Sequence, residues 1–145
     1  MAVETGQAIR AAIYSRVTAD TTLKSLFGQS GAIYMYRVQA PKDPAFPYIV
    51  DRLSAPGWPE VRAIYWLDLW YYGDSPATVD SAVERIRTLL ENWRIVTGDS
   101  EIGAGRMIFN PHGSGYVPTD NEYVWHYSTM WSILAIADRL TGLVG

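Results

Sequence analysis

The side chains best suited to chemistry are few and scattered. Two histidines, His112 and His126, are present, and neither stands at a spacing that would fix a metal ion with a nearby carboxylate. His112 lies among Gly, Pro and polar residues and reads as a solvated loop residue. His126 alternates with Tyr and Trp and reads as facing an interface or a polar sheet surface. The Gly103-Ala104-Gly105 run shares its glycines with phosphate-binding loops, but it lacks the Lys-Ser/Thr ending and does not join a strand to a helix, so it reads as a hairpin turn. Asp99, Glu101, Asp120 and Glu122 lie in polar stretches with no apolar setting to raise one carboxyl above another, and are expected to solvate the surface or to meet Arg across an interface. Ser, His and Asp occur without a nucleophile elbow. The expectation is a protein that is not an enzyme, with no catalytic residue, no metal and no cofactor.

Composition narrows the classes further. A chain of 145 residues fits one domain, here taken as 1–145 with 138–145 as a flexible tail. With 48% apolar and 19% charged residues it has the composition of a globular protein. Six Trp and ten Tyr against three Phe mean that most large rings carry a polar handle, which suits surfaces buried on association. A net charge of -3 is a poor match to a protein that reads nucleic acid, because displacing counterions from phosphates needs a basic patch. No cysteine is present, so disulfides and thiolate chemistry are excluded. No apolar run reaches the roughly 18 residues of a membrane span, and Met1–Gly6 does not look like a leader, so an intracellular origin with no membrane partner is expected.

The elements that would position these residues follow from periodicity. Ala8, Ile9, Ala12, Ile13 and Val17 recur at helical spacing over Thr5–Val17, with Arg10 and Arg16 pointing elsewhere. Asp20 can cap a short second helix that Gly28 ends, so the two read as a helical hairpin. Ile33–Val38 and Tyr48–Leu53 read as strands around a proline-punctuated loop, and Ser54–Glu60 as a loop presenting Trp58. Val61–Tyr72 alternates as a long strand, both of whose faces are expected to meet protein. Ser75 and Pro76 start an amphipathic helix that runs to about Trp93. Thr97–Gly105 and Asn110–Asn121 read as loops around a strand at Arg106–Phe109, and Glu122–Ala137 as a long final strand. This order predicts an α+β fold in which a mainly antiparallel sheet carries the long amphipathic helix and the N-terminal helical hairpin on one face. Trp66, Trp70, Trp125 and Trp131 could form a stacking platform, but the surroundings are neither basic nor specifically polar, and core and subunit contacts are the preferred reading.

Three stretches together resemble the tail-completion, or tail-terminator, family of long-tailed bacteriophages: AIYSRVTADTTLKSLFGQSGAIY from Ala12 to Tyr34, PKDPAFPYIV from Pro41 to Val50, and YWLDLWYYGDSPATVDSAVERIRTLL from Tyr65 to Leu90. The resemblance lies in their order: an initial helix, a Leu-rich segment before an Ile-Tyr strand, a Phe-Pro-Tyr strand start, and an aromatic strand feeding a capped helix. It reaches from the first helix to Trp93 and is looser beyond. It implies a homo-oligomer, usually a hexameric ring, on the end of the tail tube at the head-tail junction of the virion. It also implies contacts with the major tail tube protein and the head-completion or connector protein, synthesis in the host bacterial cytoplasm, and DNA passing through the lumen without being read.

Ring closure needs two different patches on each subunit. From exposure and composition the expected contact surfaces are the Trp58 loop with Glu60 and Arg62, and the loops containing Glu101, Arg106, His112, Tyr116 and Asp120. The alternative is a small-molecule-binding α+β module whose Tyr/Trp-rich sheet face lines a pocket.

Overall fold

A computed structural model describes residues 2–29, 31–54, 62–96 and 104–136. The expected Trp58 loop, the acidic Thr97–Gly103 stretch and the 138–145 tail lie outside them.

The chain runs α1 (Ala2–Thr18), α2 (Thr21–Phe27), β1 (Met35–Arg37), β2 (Tyr48–Ser54), β3 (Arg62–Tyr72), α3 (Ala77–Leu90), β4 (Arg94–Val96), β5 (Ala104–Val117) and β6 (Val124–Ile136). The strands form one mixed sheet in the order β1-β2-β3-β6-β5-β4. β1 pairs with β2 in parallel and every other neighbouring pair is antiparallel. The fold is therefore α+β with a largely antiparallel sheet.

Alternation along the strands decides which face is buried. Ala63, Tyr65, Leu67 and Leu69 of β3, Thr129, Trp131 and Ile133 of β6, Ile49 and Asp51 of β2, and Met107 of β5 all lie on one face and are shielded from solvent. Ile9, Ile13 and Val17 of α1, four residues apart, join them in one apolar cluster together with Leu23 and Phe27 of α2 and Ala82, Ile86, Leu89 and Leu90 of α3.

Local signals set the helix ends. Asp20 accepts a hydrogen bond from the Leu23 amide at 2.8 Å, and Gly28 at φ 68° closes α2 in the left-handed conformation that costs glycine nothing. α2 does not fold back along α1 as a simple hairpin. It packs against α3, where Arg85 donates to both oxygens of Asp20 at 2.7 and 2.9 Å. The Ser75 hydroxyl accepts from the Ala77 amide at 3.2 Å, and α3 begins after Pro76, one residue later than expected. It ends at Leu90 rather than near Trp93, because Asn92 turns the backbone to φ 62° and Trp93 leads into β4.

Three further expectations are corrected. β1 is shorter than Ile33–Val38, since Val38 at φ 68° breaks extended geometry. β4 was not expected at all. β5 continues through the expected Asn110–Asn121 loop to Val117, absorbing Pro111 in an irregularity between Asn110 and Gly115. In that irregularity a Cβ at Gly113 would collide with the Met130 sulfur.

Arg10 and Arg16 stand off the apolar stripe of α1 and find partners on other elements. Arg16 donates to the Leu89 carbonyl at 2.7 Å, satisfying one of the orphan acceptors at the end of α3, and its guanidinium lies 4.6 Å from the centre of the Trp93 ring. Arg10 reaches the fully buried Asp51, donating from Nε and Nη2 at 3.0 to 3.1 Å, and the Tyr65 hydroxyl donates to the same carboxylate at 2.7 Å. Burial, with the Asp51 carboxylate beside it, pushes the Tyr65 phenol well above its ordinary range.

Two predictions follow from this packing. Removing the partner of a buried charge is costly, so Arg10→Met should destabilise by about 3–5 kcal/mol, whereas Arg10→Met combined with Asp51→Leu should recover most of that loss. Urea unfolding checks this, and a single-variant loss below about 1 kcal/mol would sink it. The Asp20 carboxyl is held below its ordinary 3.8 chiefly by the Arg85 hydrogen bonds, against the opposing effect of burial, with the Leu23 amide adding to the lowering. A depressed folded value makes this contribution complete above 3.8 and lost as pH falls below it. Asp20→Asn keeps the cap, so it should flatten the acid limb of a stability-pH profile while leaving the α2 start intact.

Candidate functional site

The opposite face of the sheet carries no helix among the described residues. Its side chains come from the other half of each alternation: Tyr48, Val50 and Arg52 of β2, Ile64, Trp66, Asp68, Trp70 and Tyr72 of β3, and His126, Ser128 and Met130 of β6. Apolar and aromatic groups are open to solvent here, with Tyr72 53%, Ile108 41% and Phe46 38% exposed. Among the described residues the helices cover one face, and on the other only the segment after β1 lies over the strands.

Register builds the centre of the open face. Trp70 stands opposite Tyr48 on one side and His126 on the other, while Asp68 stands opposite Val50 and Ser128. The rings form a row: Phe46 to Tyr48 at 5.2 Å, Tyr48 to Trp70 at 6.0 Å and nearly parallel, and Trp70 to His126 at 3.8 Å and nearly parallel. Asp68 links that row to the next. One oxygen accepts from the Ser128 hydroxyl at 2.8 Å, and the other lies 2.9 Å from His126 Nε2. The Asp68 side chain is 26% exposed and that of His126 12%. Burial, with Tyr36 beside it, raises the Tyr48 phenol.

The segment after β1 arches over this row. Val38, Gln39, Ala40, Pro41 and Pro44 lie above Tyr48, Val50, Asp68 and Trp70, enclosing a recess of about 390 Å³ that opens to solvent. Among the described residues it has aromatic walls and one carboxylate, Asp68. A second hollow of about 270 Å³ lies between Tyr116–Thr119 and Trp125–His126. Among the described residues no group of three or more His, Asp or Glu is placed to hold a metal ion, and no helix is long and apolar enough to cross a membrane.

The expected contact residues do not gather into one patch. Trp58, Glu60 and Glu101 lie outside the described residues. Arg62 opens β3 opposite Leu134. Arg106 is exposed on β5, opposite Leu134 on one side and Arg94 on the other. His112 is exposed, but it belongs to the irregular middle of β5 and not to a free loop. Asp120 is exposed in the turn before β6. Tyr116 is a strand residue that turns toward the helix side, where its hydroxyl hydrogen-bonds to the Asp80 carboxylate and its ring meets Tyr127 edge-on at 4.8 Å. Arg106 thus sits at one end of the sheet and Tyr116 and Asp120 at the other.

The four indoles considered as a platform also separate. Trp131 is fully buried, Trp125 donates to the Gly73 carbonyl at 3.0 Å, and Trp66 and Trp70 share the open face. Asp68 and the Tyr48 recess were missed as site residues. The available signal was Asp68 alternating between Trp66 and Trp70; its meeting with His126 depends on the pairing of β3 with β6, strands more than 50 positions apart.

Neither a family model nor a curated protein matches this sequence. Among solved structures, the fold is similar to that of a chain from the virion of a native gene transfer agent particle, with a TM-score of 0.65 and 16% identity over 89% of this chain and 95% of that one. A second solved chain gives a TM-score of 0.59 and 16% identity over 90% of this chain and 96% of that one. At this identity the likeness establishes a shared fold.

The raised phenols yield a further prediction. Burial, and then the Asp80 carboxylate, raise Tyr116 above its ordinary 10.0, as burial and Asp51 raise Tyr65. Phenols raised in the folded state contribute stability that is complete below 10.0 and declines as pH rises through it. Tyrosinate absorbance should therefore show a late-ionising class coupled to alkaline unfolding, and Tyr116→Phe should reduce its amplitude by one tyrosine. An unchanged late amplitude in that variant would refute the assignment.

Proposed function

We propose that this chain is a structural virion protein that assembles with copies of itself into a ring at the end of a bacteriophage tail tube, where the tube joins the head. The observation that carries the reading is the fold shared over most of the chain with a chain from the virion of a native gene transfer agent particle. The ordered stretches Ala12–Tyr34, Pro41–Val50 and Tyr65–Leu90 support the tail-end assignment within that broader class.

The physical features are compatible with this role. An open sheet face bearing Trp66, Trp70 and Tyr72 offers aromatic area of the kind that subunit interfaces bury. A closed ring needs a heterologous contact, and Arg106 at one end of the sheet is separated from Tyr116 and Asp120 at the other, as two complementary patches require. A net charge of -3 would let a phosphate backbone slide past without being held. The partners on this reading are further copies, the tail tube protein and the head connector, with DNA as passing cargo.

The recess beneath the Val38–Pro44 segment favours a second reading, a module that binds a small molecule against Tyr48 and Trp70. Light scattering on the purified protein, followed by negative-stain imaging, separates the two. The expected result is a ring, formed alone or on added tail tubes. A monomer under both conditions, with a melting temperature raised by a small ligand, would replace the ring reading with the binding module. Trp58→Ala and Arg106→Glu should each impair ring formation, since aromatic and Arg anchors dominate interface energetics. Normal assembly by both variants would remove those residues from the interface.

A further inference from the structure

We propose that the recess between the Val38–Pro44 segment and the row of Tyr48 and Trp70 is a guanidinium site, filled by the Arg94/Arg106 pair of a second copy. The inference rests on the self-assembly reading above.

The recess selects its ligand by charge. Among the described residues Asp68 is the one carboxylate lining it, and each of its oxygens has one side-chain neighbour, Ser128 or His126. An ionised carboxylate accepts up to about four hydrogen bonds, so capacity remains on the side facing the recess. An anion would meet repulsion there, and an apolar ligand would strip water from Asp68 without replacing it. A planar cation flanked by aromatic walls satisfies both the carboxylate and the rings. The chain already builds this combination once: the Arg10 guanidinium lies 4.9 Å from the Tyr14 ring centre and donates to Asp51. Arg52, on the neighbouring row of the open face, is committed to Trp66 at 4.3 Å and forms no ion pair with Asp68.

The cation is argued from the other side of the sheet. Arg94 and Arg106 stand directly opposite each other in the β4–β5 ladder, both exposed, and Ile95 and Met107 on the core side place them on the open face. Like charges in register repel, and an incoming carboxylate relieves that repulsion. Within one copy the two sites cannot meet. Arg106 faces Leu134 and Asp68 faces Ser128, positions roughly 20 Å apart along β6, well beyond the reach of one side chain.

Two measurements test this. N-acetyl-arginine amide, titrated at constant ionic strength, should shift the Trp70 indole N–H resonance saturably, while the citrulline analogue should not. Asp68→Asn, with an unchanged melting temperature, should weaken the effect about tenfold, as expected for a charge-assisted bond. No saturable shift, or equal shifts from both probes, would overturn the guanidinium site. In light scattering, Asp68→Arg and Arg106→Asp should each lose self-association, and the two together should regain it. Wild-type assembly with indifferent single variants would overturn the self-contact and leave the assembly reading standing. A wild type that stays monomeric even on tail tubes would overturn both.

Discussion

A fully buried carboxylate constrains this fold more than any apolar contact does. Asp51 projects from β2 into the core face, where an ionised group without partners would cost far more than a domain of this size can tolerate. Its bonds to Arg10 and Tyr65 come from two other elements, α1 and β3. Satisfying it fixes the rotation of α1 through Arg10, and it fixes the β2–β3 register, since a slip of one residue would move Asp51 and Tyr65 to opposite faces. Ile9, Ile13 and Val17 then have a single way to pack. Such a cluster specifies the arrangement more than it adds net stability.

The two faces treat their polar groups in opposite ways. On the core side the requirements are closed internally: besides Asp51, the Thr129 hydroxyl donates to the Leu67 carbonyl at 2.7 Å and accepts from Trp131 at 2.9 Å. On the open side Asp68, Ser128 and His126 bond sideways along the sheet and remain partly exposed among rings. A face whose polar groups are organised but not enclosed is suited to contact with something outside the chain.

How much of this was legible in the sequence depended on the range of the interaction. The Asp20 cap, the Gly28 stop, the Ser75-Pro76 helix start and the alternation of β3 and β6 are written in residues a few positions apart, and each was found to within one or two residues. The features that were missed are non-local. The three-residue β4 exists because its backbone finds β5, and β5 runs through Pro111 because the irregularity and β6 accommodate it. Arg10 and Arg16 stood off the apolar stripe with no partner readable nearby in the sequence, and long side chains can leave their own helix face to reach a distant acceptor. The open-face site failed for the same reason. Which strands would bring Asp68 to His126 is not readable from either segment.

The sheet edges bear on how copies of such a chain can associate. β1 and β4 are three residues long, too short to template an extended added strand. β4 covers only the start of β5, leaving the outer edge of β5 beyond Met107 without a partner among the described residues. That edge is interrupted by Pro111, which has no amide hydrogen to donate, and by the irregularity that ends at Gly115. Association by strand addition is thereby discouraged on both sides of the sheet. Contacts between chains are left to side chains on the faces and at the sheet ends, where charge and ring geometry set the orientation of a neighbour and growth can stop at a closed assembly instead of running on as a fibre.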